Sequence, residues 1–183
     1  MGLAKFGIPV ELREDIVGLA FFGNGPKTGK GKRVYPHELF SQVYEGEFKD
    51  GEPHGYGKMV VVGDEGEYQC KGEYEEGFPH GQATVMFPNG DVYQGELGPK
   101  GIGKGTYTEP NGQVVMGYYE TIWQSANCPY IASHIGQGVQ WSSDRTQAWE
   151  VDGEDLVYEY EKKTAISLQA AADFAASLNL SVP

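Results

Sequence analysis

The sequence predicts a mainly all-β fold: an elongated, twisted antiparallel sheet of stacked β-hairpins, with a C-terminal capping α-helix. Three observations lead there. A tyrosine- and glycine-based unit of roughly two dozen residues recurs along most of the chain. Asp-Gly and Asn-Gly dipeptides, the strongest short hairpin signals, punctuate it at residues 50–51, 89–90 and 111–112. A helically spaced apolar stripe occurs near the C-terminus, at Leu168, Ala171, Ala172, Ala175 and Leu178.

Composition agrees with a folded β protein. The 183 residues include 27 glycines and 10 prolines, about a fifth of the chain and below the range of low-complexity sequences. Twelve tyrosines, eight phenylalanines and three tryptophans supply the aromatic area that disordered segments lack. Glycine is therefore expected at fixed positions, in turns and at close contacts.

The elements follow in order. Residues 1–15 form an N-terminal extension, residues 16–141 the hairpin array and residues 142–183 a C-terminal strand and helix cap. The first copy of the unit is damaged: Gly18 and Gly23 keep the five-residue offset, and Gly29-Lys30-Gly31 supplies the later pair. The clearest copies lie in 44–96. Tyr44-Glu45-Gly46-Glu47-Phe48 leads to Pro53-His54-Gly55-Tyr56-Gly57, and Cys70-Lys71-Gly72-Glu73-Tyr74 to Pro79-His80-Gly81-Gln82-Ala83. Further copies open at Tyr93-Gln94-Gly95-Glu96-Leu97 and Val115-Met116-Gly117-Tyr118-Tyr119. The fourth resumes at Gly136-Gln137-Gly138 after an insertion near 122–135.

Strand periodicity places Tyr44, Gly46 and Phe48 on one face, and Gly55, Gly57, Met59 and Val61 on one face of the returning strand. Glycines there leave room for rings. An isolated hairpin is marginal, so each copy must lean on its neighbours.

Open sheet edges invite aggregation and need cover. The helix of residues 167–179, N-capped by Ser167, is expected to cap the last hairpin, with a partner-binding helix as the alternative. Trp123, Trp141 and Trp149 suit a small core between sheet and helix, or anchors at an interface.

The Tyr-x-Gly-Glu-Phe-x-x-Gly-x-x-His-Gly-x-Gly pattern resembles the MORN repeat (membrane occupation and recognition nexus). The resemblance is close over 44–96, looser over 16–35 and 97–141, and absent after about 150. It implies hairpins stacked into a twisted antiparallel sheet, and a role in scaffolding, protein docking or, for some members, membrane contact. It implies no chemistry.

Residue types exclude several classes. A net charge of −12 repels phosphate backbones and anionic lipid, so no nucleic-acid partner is expected. Membrane contact could be indirect or run through Lys27, Lys30, Lys32 and Arg33. Between Tyr44 and Glu96 twelve carboxylates face only Lys49, Lys58 and Lys71, which suits a solvated face or a basic partner.

Cys70 and Cys128 form neither a disulfide framework nor a zinc motif. Gly98–Gly105 nearly makes a P-loop but has Gly105 where a hydroxyl is required, and His37-Glu38 lacks the second histidine of a zinc-protease helix. His54 and His80 are repeat-equivalent and read as turn residues rather than metal ligands, and the Asn179-Leu180-Ser181 sequon stays silent without secretion. No catalytic residue, metal or cofactor is expected.

The reading is a non-enzymatic scaffold or accessory subunit that docks a protein partner, one with a basic or helical segment, on its sheet. A peripheral phospholipid-associated tether is the alternative, and an enzyme with an appended array the third. Expected partner contacts are Tyr44, Phe48, Tyr56, Tyr74, Phe87, Tyr93, Tyr107, Tyr118, Trp123 and Tyr130. No apolar run approaches the ~20 residues of a membrane span, and no basic-then-apolar leader opens the chain. The chain reads as soluble and reducing-compartment, cytoplasmic or organelle-matrix, and a transit peptide removed ahead of Met1 is compatible with it.

Overall fold

In the computed structural model, which describes residues 26–36, 41–64, 66–97, 102–125, 128–153 and 163–183, eleven strands follow in chain order across one antiparallel sheet. They are β1 (Thr28–Pro36), β2 (Ser41–Lys49), β3 (Glu52–Gly63), β4 (Gly66–Glu75), β5 (Phe78–Met86) and β6 (Val92–Leu97). β7 (Ile102–Thr108), β8 (Val114–Ser125), β9 (Cys128–Trp141), β10 (Ala148–Gly153) and β11 (Lys163–Ile166) complete it. Among the described residues one helix, α1 (Leu168–Ser177), follows. The N-terminal extension and the glycines at 18 and 23 lie outside the described residues, as do the His37-Glu38 motif and residues 98–101.

The turns inside the two clean copies share one geometry. Asp50 and Gly51 have φ of 52° and 88°, and Glu76 and Gly77 have 50° and 88°. Two successive positive φ angles match the right-handed twist of the strands they join.

Register explains the glycines. Gly46, Gly57, Gly72, Ala83, Gly95, Gly105 and Gly117 are cross-strand partners in sequence, so they form one row across β2–β8. On one side of this trough stand Tyr44, Met59, Cys70, Val85, Tyr93, Tyr107 and Val115, and on the other Phe48, Tyr74, Leu97 and Tyr119, all buried. Rings from both sides fold down over the trough. A Cβ at Gly57 would stand 2.2 Å from the Tyr44 hydroxyl, and one at Gly105 2.5 Å from the Tyr93 ring.

The rings alternate between copies. Tyr44 and Tyr93, at the first position of their units, donate to the carbonyls of Glu47 and Glu96 at 3.1 and 2.9 Å. Where the first position is Cys70 or Val115, the fifth is tyrosine instead: Tyr74 and Tyr119 donate back to the Cys70 and Val115 carbonyls at 3.0 and 2.8 Å. The two kinds pack edge-on as Tyr44–Tyr74 and Tyr93–Tyr119, with ring centres 4.9 and 5.2 Å apart. The physical repeat is thus a pair of units.

His134 continues the series, edge-on to Tyr119 at 5.4 Å and seated over Gly117 and Gly138. Burial holds its imidazole down at a pKa of about 4, against 6.5 ordinarily, with Asp152 acting in the opposite direction. The unfolded chain takes up that proton near pH 6.5 and the folded chain only near pH 4. Stability from this group is complete above about 6.5 and is lost as pH falls towards 4, on the order of 3 kcal/mol in all. Urea unfolding at pH 7 and pH 4.5 should show His134→Gln losing less stability on acidification than the parent.

Helix α1 begins at Ser167, whose hydroxyl accepts the Ala170 N–H at 3.1 Å. It ends with Asn179 at φ 57°, with the Asn179 and Leu180 N–H groups donating to Ala176 and Ala175. Ala171 and Ala175 pack on Val114, Met116, Val139, Trp141 and Ala148. These face away from the aromatic rings, so α1 covers the opposite face of the last strands. The helix therefore caps the last strands as expected, and does so on a face, where its apolar stripe finds area, whereas an edge offers a line of backbone polar groups. Trp141 sits in this core as expected, Trp149 is half-buried, and the side chain of Trp123 is not described.

The insertion near 122–135 lengthens a hairpin. Among the described residues β7 pairs with β8 as far as Glu120, and β10 pairs with β9 as far as Gly136. Beyond these, β8 and β9 pair with each other up to Ser125↔Cys128.

Candidate functional site

The two faces of the sheet differ in chemistry. One is the aromatic core just described. Alternation sends Glu45, Glu47, Glu67, Glu73, Glu75, Glu96 and Glu120 to the other, together with Lys30, Lys32, Lys58, Lys71 and Lys104. Asp91, just ahead of β6, is buried on the aromatic side, where it accepts the Tyr107 hydroxyl.

The ten expected contact residues divide accordingly. Tyr44, Phe48, Tyr74, Tyr93 and Tyr107 are buried in the aromatic core, and Phe87 is half-buried against Tyr68 and Tyr107. For these the structure replaces a partner contact with internal packing, because the glycine trough gives each ring a place to lie. Tyr56 and Tyr118 point to the polar face, 55% and 45% exposed. The side chains of Trp123 and Tyr130 are not described. Ile102, also 55% exposed, stands opposite Glu120 on the polar face and was not anticipated. Its signal was available: Ile102 is one step from Gly103 and so alternates away from the trough.

The residue at the fourth position of each unit is held in a particular way. Register between β2 and β3 shifts between Gly46 and Phe48, and between β4 and β5 at Gly72/Glu73, so the returning strand bulges opposite Glu47 and Glu73. The bulges contain Gly55 and Gly81, at φ 62° and 68°. A Cβ there would stand 2.3 Å from the Glu47 carboxylate and 2.9 Å from that of Glu73. In the third unit a Cβ at Gly103 would meet the Glu96 carbonyl at 1.9 Å and the Glu96 Cβ at 3.3 Å. In the two clean copies the glycine after the histidine therefore seats the glutamate, a role distinct from that of the trough glycines.

A groove of about 660 Å³ opens on this face beside α1. Tyr56, Lys71, Glu73, Gln82, Thr84, Gln94 and Thr106 line it, together with Asn179–Pro183 beyond the helix.

Strand alternation divides the basic cluster. Lys30 and Lys32 fall on the polar face, where Lys32 pairs with Glu45 at 3.6 Å. Arg33 turns to the aromatic face, 7% exposed, over the rings of Tyr35 and Phe48 at 5.4 and 5.3 Å. It donates to Tyr35 and the Gly51 carbonyl and pairs with Glu52 at 3.9 Å. Lys27 is exposed ahead of β1.

His80 lies 3.9 Å from Glu75, and among the described residues no group of three His, Cys, Asp or Glu side chains could hold a metal. Cys70 is buried and its thiol is pushed up to about 12 by that burial, which leaves it an inert packing residue. No helix among the described residues is long and apolar enough to cross a membrane.

The family model of the MORN repeat matches residues 44–60 and 70–92. These are the two copies in which bulge, seated glutamate and tight turn are all present. No curated protein matches the chain.

Proposed function

We propose that this chain, whose residues 44–60 and 70–92 are MORN repeats, is a non-catalytic scaffold that docks a protein partner on the polar face of its sheet. MORN repeats are in general protein- or membrane-interaction modules, and the asymmetry of this sheet supports the protein reading. The aromatic face is filled by the chain's own rings. The polar face carries Tyr56 and Tyr118 more than 40% exposed, in a repeat that buries its other described tyrosines wholly or in part. That pair carries the proposal. Exposed tyrosine supplies rigid apolar area with a hydrogen-bonding tip, the combination enriched at protein interfaces. The face has also accepted one helix already, since α1 lies on its far end.

The test is native purification of the tagged full-length chain, with Tyr56→Ala/Tyr118→Ala beside it. Both residues are exposed, so the variant should keep the parent's melting temperature. Loss of the co-purifying partner from a folded variant is the expected result. Retention at parental levels would remove the basis for the proposal.

A further inference from the structure

The structure assigns a specific kind of partner to this face: an α-helix carrying arginine or lysine at positions i, i+7 and i+14, lying across the strands on Glu47, Glu73 and Glu96. This rests on the docking reading above and goes beyond it by naming what docks.

Glu47, Glu73 and Glu96 occupy the fourth position of successive units, on β2, β4 and β6. Adjacent strands are about 4.8 Å apart, so carboxylates on alternate strands recur about every 10 Å. An α-helix advances about 10.5 Å in seven residues and returns to the same face, so heptad-spaced cations match that pitch. A β-strand presents one face about every 7 Å and falls out of step after one contact.

Two of the carboxylates are also held in place, Glu47 over Gly55 and Glu73 over Gly81 at bulges, and Glu96 takes the same line one unit on. Such seating removes side-chain freedom before any partner arrives, so less is lost on binding. None of the three is in an ion pair among the described residues. Glu73 is exposed, and Glu47 and Glu96 are partly so.

The rest of the line bounds the interface. Tyr56 stands opposite Glu73 on β3 and Gln82 opposite Glu96 on β5; beyond them Lys104 on β7 faces Tyr118, which takes the fourth position on β8, so the anionic stretch runs from Glu47 to Glu96. Tyr56 lies within that stretch and is exposed, and an exposed tyrosine ring can stack on a guanidinium. The neighbouring line places Lys58 directly opposite Lys71. These two repel a uniformly basic chain, so the face selects a helix with its cations confined to one stripe.

The experiment uses the full-length chain and two fluorescein-labelled, helix-stapled peptides of identical composition. One has arginines at i, i+7 and i+14, the other at i, i+5 and i+10. Anisotropy titrations at low and physiological salt should show the heptad peptide binding about tenfold more tightly. Glu47→Gln/Glu73→Gln/Glu96→Gln should abolish that preference. Glu45→Gln/Glu67→Gln/Glu120→Gln, which removes equal charge from the same face, should retain it. Equal binding of the two peptides, equal loss in both variants, or no binding of either peptide overturns the assignment. If the peptides fail while the Tyr56→Ala/Tyr118→Ala chain still loses its partner, docking stands and the helix register falls. If that variant keeps its partner, the docking reading itself has failed.

Discussion

Gly57→Ala should destabilise the protein by about 3 kcal/mol, the upper end for one methyl group forced into a packed core. The added Cβ would stand 2.2, 2.4 and 2.5 Å from the hydroxyl and ring atoms of Tyr44, a side chain with no exposed surface. The ring cannot step aside without breaking its hydrogen bond to the Glu47 carbonyl and its edge-on contact with Tyr74. The chain contains its own control. Ala83 occupies the trough opposite Gly72, in the unit whose first residue is Cys70 rather than tyrosine. Tyr44→Cys should therefore rescue part of the Gly57→Ala defect, although by itself it removes a large buried ring and costs about 3–5 kcal/mol. A double-mutant cycle by urea unfolding should give a coupling of at least about 1 kcal/mol in favour of the pair. Strict additivity would show that ring and glycine do not share the space.

Ala175→Asp should release α1 while leaving the hairpin ladder folded. Ala175 has no exposed surface and packs with Ala171 on Val114, Met116, Val139, Trp141 and Ala148. An unpaired carboxylate placed there costs several kcal/mol, more than a ten-residue helix docked through small side chains is expected to return. The expected signature is a red shift of Trp141 fluorescence and rapid amide exchange across 168–178, with exchange in β2–β6 unchanged. An unshifted Trp141 spectrum would show that the helix core tolerates the charge. Loss of protection in β2–β6 as well would show that α1 and the distant hairpins unfold as one unit.

Much of this was legible in the chain itself. Asp50-Gly51, Asn89-Gly90 and Asn111-Gly112 mark turns that the structure places between β2 and β3, β5 and β6, and β7 and β8. Ser167 caps the helix whose stripe is visible in Leu168, Ala171 and Ala175. The division of aromatics was half legible: alternation about Gly57 sends Tyr56 and Met59 to opposite faces, but alternation does not say which face is buried. The exchange of tyrosine between first and fifth positions can also be read from Tyr44, Tyr74, Tyr93 and Tyr119. It acquires meaning only when their rings are seen to fill one trough from opposite sides.

The tyrosine–glycine repeat by itself determined the ladder of hairpins, because turn dipeptides and strand periodicity are local properties of neighbouring residues. Tertiary structure alone decided three things: that Tyr44, Phe48, Tyr74, Tyr93 and Tyr107 turn inward, that α1 lies on a face rather than along an edge, and that Glu47, Glu73 and Glu96 line up across the sheet. Each depends on register between strands and on which apolar surface finds cover. These are contacts between residues far apart in the chain, set by the total area the fold can bury.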